Sequence, residues 1–166
     1  TGVDDNSTDG HKAYNISLSA EVDTDDLEVT TFAGSGSQVS QDGTGTAASF
    51  YDLSGMTKDG TNLYVTNTYN HTIRKIAIST GVVSTIAGSG GSPGSAEGTG
   101  TSARFRFPKG IATDGTNLYV TDQHNHTIRK IVISTGVVST FAGSGSPGSA
   151  DGTGPAATFK HPKAIT

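Results

Sequence analysis

The chain has 166 residues, 32% hydrophobic and 16% charged, with 23 glycines, a net charge of −4 and no cysteine. One ordinary domain fits that length, and abundant Thr, Ser, Val and Ile beside so few charges is a β-rich balance rather than a disordered one. The missing cysteines exclude disulfides, thiolate metal sites and Cys nucleophiles, the acidic balance argues against a phosphate-binding surface, and no apolar run reaches the roughly 18 residues of a membrane helix.

Residues 1–28 differ from the rest. The chain opens on Thr1 with neither methionine nor a signal-peptide pattern, which predicts a processed chain or a piece of a longer one. In "AYNISLSAEV", Tyr14, Ile16, Leu18, Ala20 and Val22 alternate with Asn15, Ser17, Ser19 and Glu21, the pattern of a half-buried strand. Three readings stay open for it: a degenerate strand of the repeat that follows, the last strand of an upstream immunoglobulin-like domain, or a strand that pairs with an open edge of another subunit. Asp4, Asp5, Asp9, Asp23, Asp25 and Asp26 suit a solvated linker around it.

From residue 29 onward the chain repeats itself. Met56 to Gly90 recurs 55 residues later as "IATDGTNLYVTDQHNHTIRKIVISTGVVSTFAGSG", matching at 27 of 35 positions. "TFAGSG" also stands at Thr31 to Gly36, and Phe50, Phe105 and Phe159 are spaced by 55 and then 54 residues. Turn residues and β-branched runs divide one unit into four short strands. Strand a is Gly110 to Thr113, b is Leu118 to Thr121, c is Ile128 to Ile133 and d is Val137 to Ala142. Two to five residues join each pair, so the hairpins are antiparallel. A long Gly and Ser-rich link then leads to the next strand a. Strands b and c are apolar at both parities, which predicts a sheet covered on both faces.

Four-stranded antiparallel units at this period, each packed on a copy of itself, predict an all-β fold of β-propeller blades. The run "FPKGIATDGTNLYVTDQHNHTIRKI" resembles the NHL repeat, with Phe and Pro before "GIA.D", then "LYV.D" and "N.H..IRKI". Asn70 to Thr72 and Asn125 to Thr127 read Asn-His-Thr where the family name reads Asn-His-Leu, and the links are unusually long. The expected domain is thus an NHL-like propeller segment at residues 29–166. It holds two complete blades, Gly55 to Ala87 and Gly110 to Ala142, with a lone strand d at Val29 to Ala33 and a lone strand a at Ala164 to Thr166. A propeller closes with about four to eight blades, so further blades of the same chain or other copies of it are the expected partners. A head-to-tail contact between copies would propagate as a fibre.

In such a fold the b-to-c turns and the d-to-a links share one face, which is the expected binding face. The weak binding candidates there are Asn67, His71, Asp122, His124 and His126, with Arg104 and Arg106 from the middle link. His71 and His126 hold the same repeat position, which fits a shared turn role better than convergence on a metal. His124 replaces Tyr69, and His161 replaces Phe107, so those positions vary between copies. Arg74 and Arg129 fit cross-strand pairs to Asn67 and Asp122 better than a polyanion site. "AGSGGSPGSAEGTG" lacks the Lys-Ser or Lys-Thr and the helix of a phosphate loop and reads as a surface link. One carboxylate per link, at Asp42, Glu97 and Asp151, is too few for calcium. Asn-x-Ser/Thr sequons stand at Asn6, Asn15, Asn70 and Asn125.

No catalytic constellation, metal site or cofactor fingerprint rises above background. The expected function is a non-catalytic extracellular or cell-surface module, interacting or structural, with no nucleic acid partner, no membrane span and a protein or carbohydrate ligand. The resemblance implies two rivals: a metal-dependent NHL-type lyase and an RNA-binding NHL propeller.

Overall fold

A computed structural model describes residues 28–166 of the chain. The strand expected at Tyr14 to Val22 lies outside the described residues. Two units divide after Thr30, and the second, Thr31–Thr166, carries the repeats.

That unit holds two five-stranded antiparallel sheets. The first contains β1 (Gly43–Thr44), β2 (Leu53–Lys58), β3 (Asn62–Asn67), β4 (Thr72–Ala77) and β5 (Val82–Ala87), in the order β1-β5-β4-β3-β2. The second repeats it with β6 (Gly98–Thr99), β7 (Pro108–Thr113), β8 (Asn117–Asp122), β9 (Thr127–Val132) and β10 (Val137–Ala142). The four predicted strands of each blade are present within one or two residues of their expected ends.

The tight "DGTN" turn sets the first hairpin. Asp59 accepts the backbone N–H of Thr61 at 3.0 Å and of Asn62 at 2.8 Å, and Tyr64 Oη donates to it at 2.7 Å. Asp114 repeats this with Thr116, Asn117 and Tyr119. A side-chain acceptor that satisfies two turn amides makes the reversal local and fixes the register of the strands that follow.

Two expectations need correction. Each blade has a fifth strand, because β1 and β6, taken from the Gly-rich links, pair with the outer strands β5 and β10. Neither Val29 to Ala33 nor Ala164 to Thr166 forms a strand. A strand needs a hydrogen-bonding neighbour, and no described residue supplies a third strand c or b. Both segments nevertheless occupy the repeat's places. Gly34 N–H donates to Gly45 O as Gly88 does to Gly100 and Gly143 to Gly154, each at 3.1 Å. Residues 163–165 lie against β7 as residues 109–111 lie against β2.

The two blades meet side by side, with β2 packed on β7. The main core lies between them, where Tyr64, Ile73 and Ala87 of the first blade pack on Phe105, Ile111, Leu118, Val120 and Ile131 of the second. β3 is buried at both parities because Tyr64 faces the second blade while Val65 lies in a second cluster with Ala48, Ile76 and Val83, packed against Ala33 and Phe50. The approach is closest at glycine. A Cβ on Gly55 would collide with the carbonyl of Lys109, and one on Gly110 would stand 2.7 Å from that of Lys163.

Candidate functional site

The link entering each blade is held by a repeated set of side chains. Asn67 Oδ1 accepts the N–H of Tyr51 at 2.6 Å, and Asp122 Oδ1 accepts that of Arg106 at 2.7 Å. His71 Nδ1 accepts the N–H of Phe107 at 3.2 Å, and His126 Nδ1 that of His161, also at 3.2 Å. Both histidines end a short 3-10 turn in the left-handed conformation, with φ of 59° and 57°. Phe107 and His161, their partners, share that left-handed conformation with Asp52, which fills the same repeat position in the first link. Asn67, His71, Asp122 and His126 therefore position backbone, a role expected from the sequence for the two histidines alone.

Strand c contributes a buried arginine to each blade. Arg74 donates to the carbonyls of Ser49 and Gln41 and to Asp42 Oδ1 at 2.7 Å. Arg129 donates to the carbonyls of Arg104 and Ala96 and to Asp122 Oδ2 at 3.1 Å. Each guanidinium also lies over a link phenylalanine, Phe50 at 5.0 Å and Phe105 at 5.3 Å. The cross-strand pair expected for Arg129 and Asp122 is present. Arg74 instead takes its counter-charge from the link, because Asn67 is neutral. Arg104 donates to the carbonyls of Thr101 and Ala103 and so braces its own link.

On the turn face the side chains form a continuous line of rings. Tyr51 stacks on Tyr69 at 5.0 Å, Tyr69 meets Phe107 edge-on at 5.6 Å, Phe107 meets His124 at 4.6 Å, and His124 meets His161 at 5.3 Å. His71 and His126 abut Phe107 and His161 from below. The Tyr69–Phe107 and His124–His161 steps pass from the b-to-c turn of one blade to the left-handed residue of the next link, and the Tyr51–Tyr69 and Phe107–His124 steps join a link to the turn of its own blade. Sequence reading singled out His124 and noted His161 but missed Tyr51, Tyr69 and Phe107. The available signal was that all of them occupy positions that differ between copies.

Arg106 and Lys109 lie close enough to the histidines of this face to disfavour their protonation. Burial pushes His71 below the usual histidine value, with Arg106 and His124 adding to it. Burial likewise lowers His124, with His161, Arg106, His126 and Lys109 reinforcing it, and lowers His126 beside His161 and Arg106. Asp122 is pushed up to about 6 by burial, against the pull of Asn125, the Arg106 amide and Arg129. Lys109 reaches Ser54 Oγ at 3.1 Å and Asp52 at 3.4 Å across the blade boundary. Among the described residues no three His, Asp or Glu side chains are grouped to hold a metal.

Over the second blade a polar groove of about 560 Å³ opens between its two flanking links. Ser95, Glu97, Arg106, His124, Thr127 and Arg129 are among its lining. Of its lining, the sequence singled out Arg106 and His124 for binding but not Ser95, Glu97, Thr127 or Arg129.

Sheets of this topology, stacked face to face as repeats, are blades of a β-propeller. The blades resemble NHL repeats, as comparison with known proteins bears out. NHL repeat-containing protein 2 of Bos taurus is 35% identical over 104 residues, which is 60% of this chain and 14% of that protein. The chain thus spans about one seventh of the length of that relative. A crystal structure of a protein of unknown function from Bacteroides thetaiotaomicron is 30% identical with a TM-score of 0.57, over 63% of this chain and 26% of the other. An auxiliary nutrient binding protein from the same organism shares the fold at 24% identity and a TM-score of 0.59, over 68% and 31% of the two chains. No family model matches the chain.

Proposed function

We propose that this segment is a non-catalytic interaction module of an extracellular or cell-surface protein, which joins further blades and presents the turn face to a ligand. The carrying observation is a division of labour between repeat positions. Those that hold backbone are kept or nearly kept from blade to blade, as in His71 and His126, Thr66 and Thr121, or Arg74 and Arg129. Those that face outward change: Tyr51 becomes Arg106 and Lys160, Asp52 becomes Phe107 and His161, and Tyr69 becomes His124. A frame held constant under a changing surface is the arrangement of a display scaffold. The name of the nutrient binding neighbour accords with a ligand-binding role.

Exposure supports the joining of further blades or copies. Met56 is 65% exposed, whereas Ile111, at the same repeat position, is 4% exposed because the first blade covers it. At the opposite side Phe141 is 52% exposed and meets Tyr119 edge-on, while Tyr64, the counterpart of Tyr119, is fully buried. The Met56 face of one copy matches the Phe141 face of another in the way the two blades match each other. Such contacts would run head to tail, in a ring or a fibre.

An array of peptides and saccharides probed with the full chain tests the display role. Binding should disappear in the Tyr69→Ala, His124→Ala, His161→Ala triple variant, and a wild type that binds nothing on the array overturns it. A polyanion partner is a second reading, favoured by Arg106, Lys109 and Lys163 standing near His124 and His161. It predicts RNA retention that persists at moderate salt, against which the net charge of −4 weighs. Retention surviving moderate salt would favour that reading over ours.

A further inference from the structure

We propose that the groove over the second blade is a binding site for a neutral saccharide, a specific use of the display role argued above. Two polar groups at its floor are buried and without a partner: Arg129 Nε and Thr127 Oγ1. Arg129 is 1% and Thr127 6% exposed, and both line the groove. A buried polar group left unpaired is costly, so such atoms call for a hydrogen-bonding occupant.

Comparison with the first blade shows what leaves the floor of this groove unpaired. There Asn67 Nδ2 donates to Ser40 Oγ at 3.0 Å and to Thr72 Oγ1 at 3.3 Å, and Arg74 donates to the same Ser40 at 3.1 Å. Ser40 thereby closes over strand c. In the second blade Asp122 replaces Asn67 and has no N–H to give. Its oxygens are taken by the Arg106 amide, Asn125 and Arg129. Thr127, the counterpart of Thr72, loses its donor, and Ser95, the counterpart of Ser40, is drawn to neither group. One change, amide to carboxylate, both supplies the charge for Arg129 and releases the two hydroxyls. Arg74 Nε is unpaired as well, so the feature peculiar to the second blade is the unpaired Thr127.

The lining selects the chemistry. Arg129 is already neutralised by Asp122, so its Nε offers a hydrogen bond rather than a free charge. Glu97 Oε1 accepts the Thr140 N–H at 2.7 Å, leaving its other oxygen as an acceptor. Arg106 opposes Glu97 in charge, so the lining has no strong net sign. Donors and acceptors alternate around hydroxyls, and the His124 ring offers a flat side. A ligand that donates and accepts at adjacent positions without carrying charge fits this set, which is what the vicinal hydroxyls of a sugar do. The volume lies within the span of about 300–1,000 Å³ usual for small-molecule sites.

The experiment is an amide-resolved NMR titration of the full chain with maltose, cellobiose, lactose and N,N′-diacetylchitobiose at millimolar concentration. Expected are saturable shifts at Thr127, Thr140 and Ser144 with at least one sugar. Thr127→Val should weaken that binding about tenfold, while Thr72→Val, its counterpart in the first blade, leaves it unchanged. Glu97→Gln and Ser95→Ala, at the groove's more accessible edge, serve if Thr127→Val does not fold. No groove shift with any sugar overturns the assignment, as does binding indifferent to all three groove variants. Peptides that perturb the turn face while sugars do not would sink the saccharide site and leave the display role standing. If neither perturbs it, both fall.

Discussion

Thr66 Oγ1 donates to the carbonyl of Lys109 at 2.7 Å while accepting the N–H of Gly55 at 2.8 Å, so one hydroxyl ties its own blade's inner strand to that of the next. Thr121 repeats the bridge from Gly110 to Lys163. The bond crosses a close backbone approach between the blades, at Gly55 and Lys109, where a lost partner leaves a buried carbonyl unsatisfied. Thr66→Val should therefore cost about 1–3 kcal/mol, and Thr66→Ser much less. Urea midpoints of the three proteins check this, and equal midpoints for the Val and Ser variants would refute it.

The two buried arginines predict unequal losses. Asp122 is fully buried against Arg129, whereas the Asp42 side chain is 53% exposed beside Arg74. Removing Asp122 strands a charge in the core, and Asp122→Leu should cost about 3–5 kcal/mol. Asp42→Asn should cost about 1 kcal/mol or less, since water already screens that pair. Chemical denaturation of both variants separates the cases, and a larger loss at Asp42 would contradict the assignment of counter-charges.

How much of this was legible in the sequence depends on how local the interaction is. Strand ends followed from Asp59 and Asp114, whose turns are made within three residues. The pairing of Arg129 with Asp122 was legible because adjacent strands make them diagonal neighbours, Asp122 facing Thr127 and Arg129 facing Val120. Arg74's use of Asp42 was not, since it depends on the path of a link 32 residues upstream. The strands β1 and β6 were missed because two residues of Gly-Thr carry no periodicity. The groove was hidden for a different reason. The exchange of Asn67 for Asp122 is plain in the repeat, but its effect runs through Ser95 and Thr127, which strand packing alone brings together.

Acid should loosen the links. His71 and His126 accept backbone N–H groups through Nδ1, and protonation would turn that acceptor into a donor. Both are depressed below the usual histidine value of about 6.5. Between that value and the depressed one the unfolded chain binds more protons, so stability is complete above about pH 6.5 and falls as pH drops through the folded values. Asp122 acts oppositely: raised to about 6, it binds a proton first in the folded state and adds stability as pH falls from there towards the ordinary carboxylate value. Melting midpoints at about pH 7.5 and 5.5 should show a smaller acid loss in His71→Gln, His126→Gln than in the wild type. An unchanged acid loss in that variant would count against the Nδ1 bonds.

Exposure at the two outer faces gives the last prediction. Phe141 is exposed at the position where Ile86 packs against the core between the blades, and Met56 at the position where Ile111 is covered. If copies join through these faces, light scattering should give a mass above one chain, growing with concentration because a head-to-tail contact need not close. Phe141→Lys puts a charge on one partner face without touching the core and should return the particle to a single chain with an unchanged melting midpoint. Met56→Lys should do the same from the other face. A mixture of the two variants is the decisive sample: each retains one competent face, so mixing permits pairs and forbids chains. A single-chain mass for the wild type at every concentration, or long assemblies in the mixture, would show that these faces do not join copies in the proposed way.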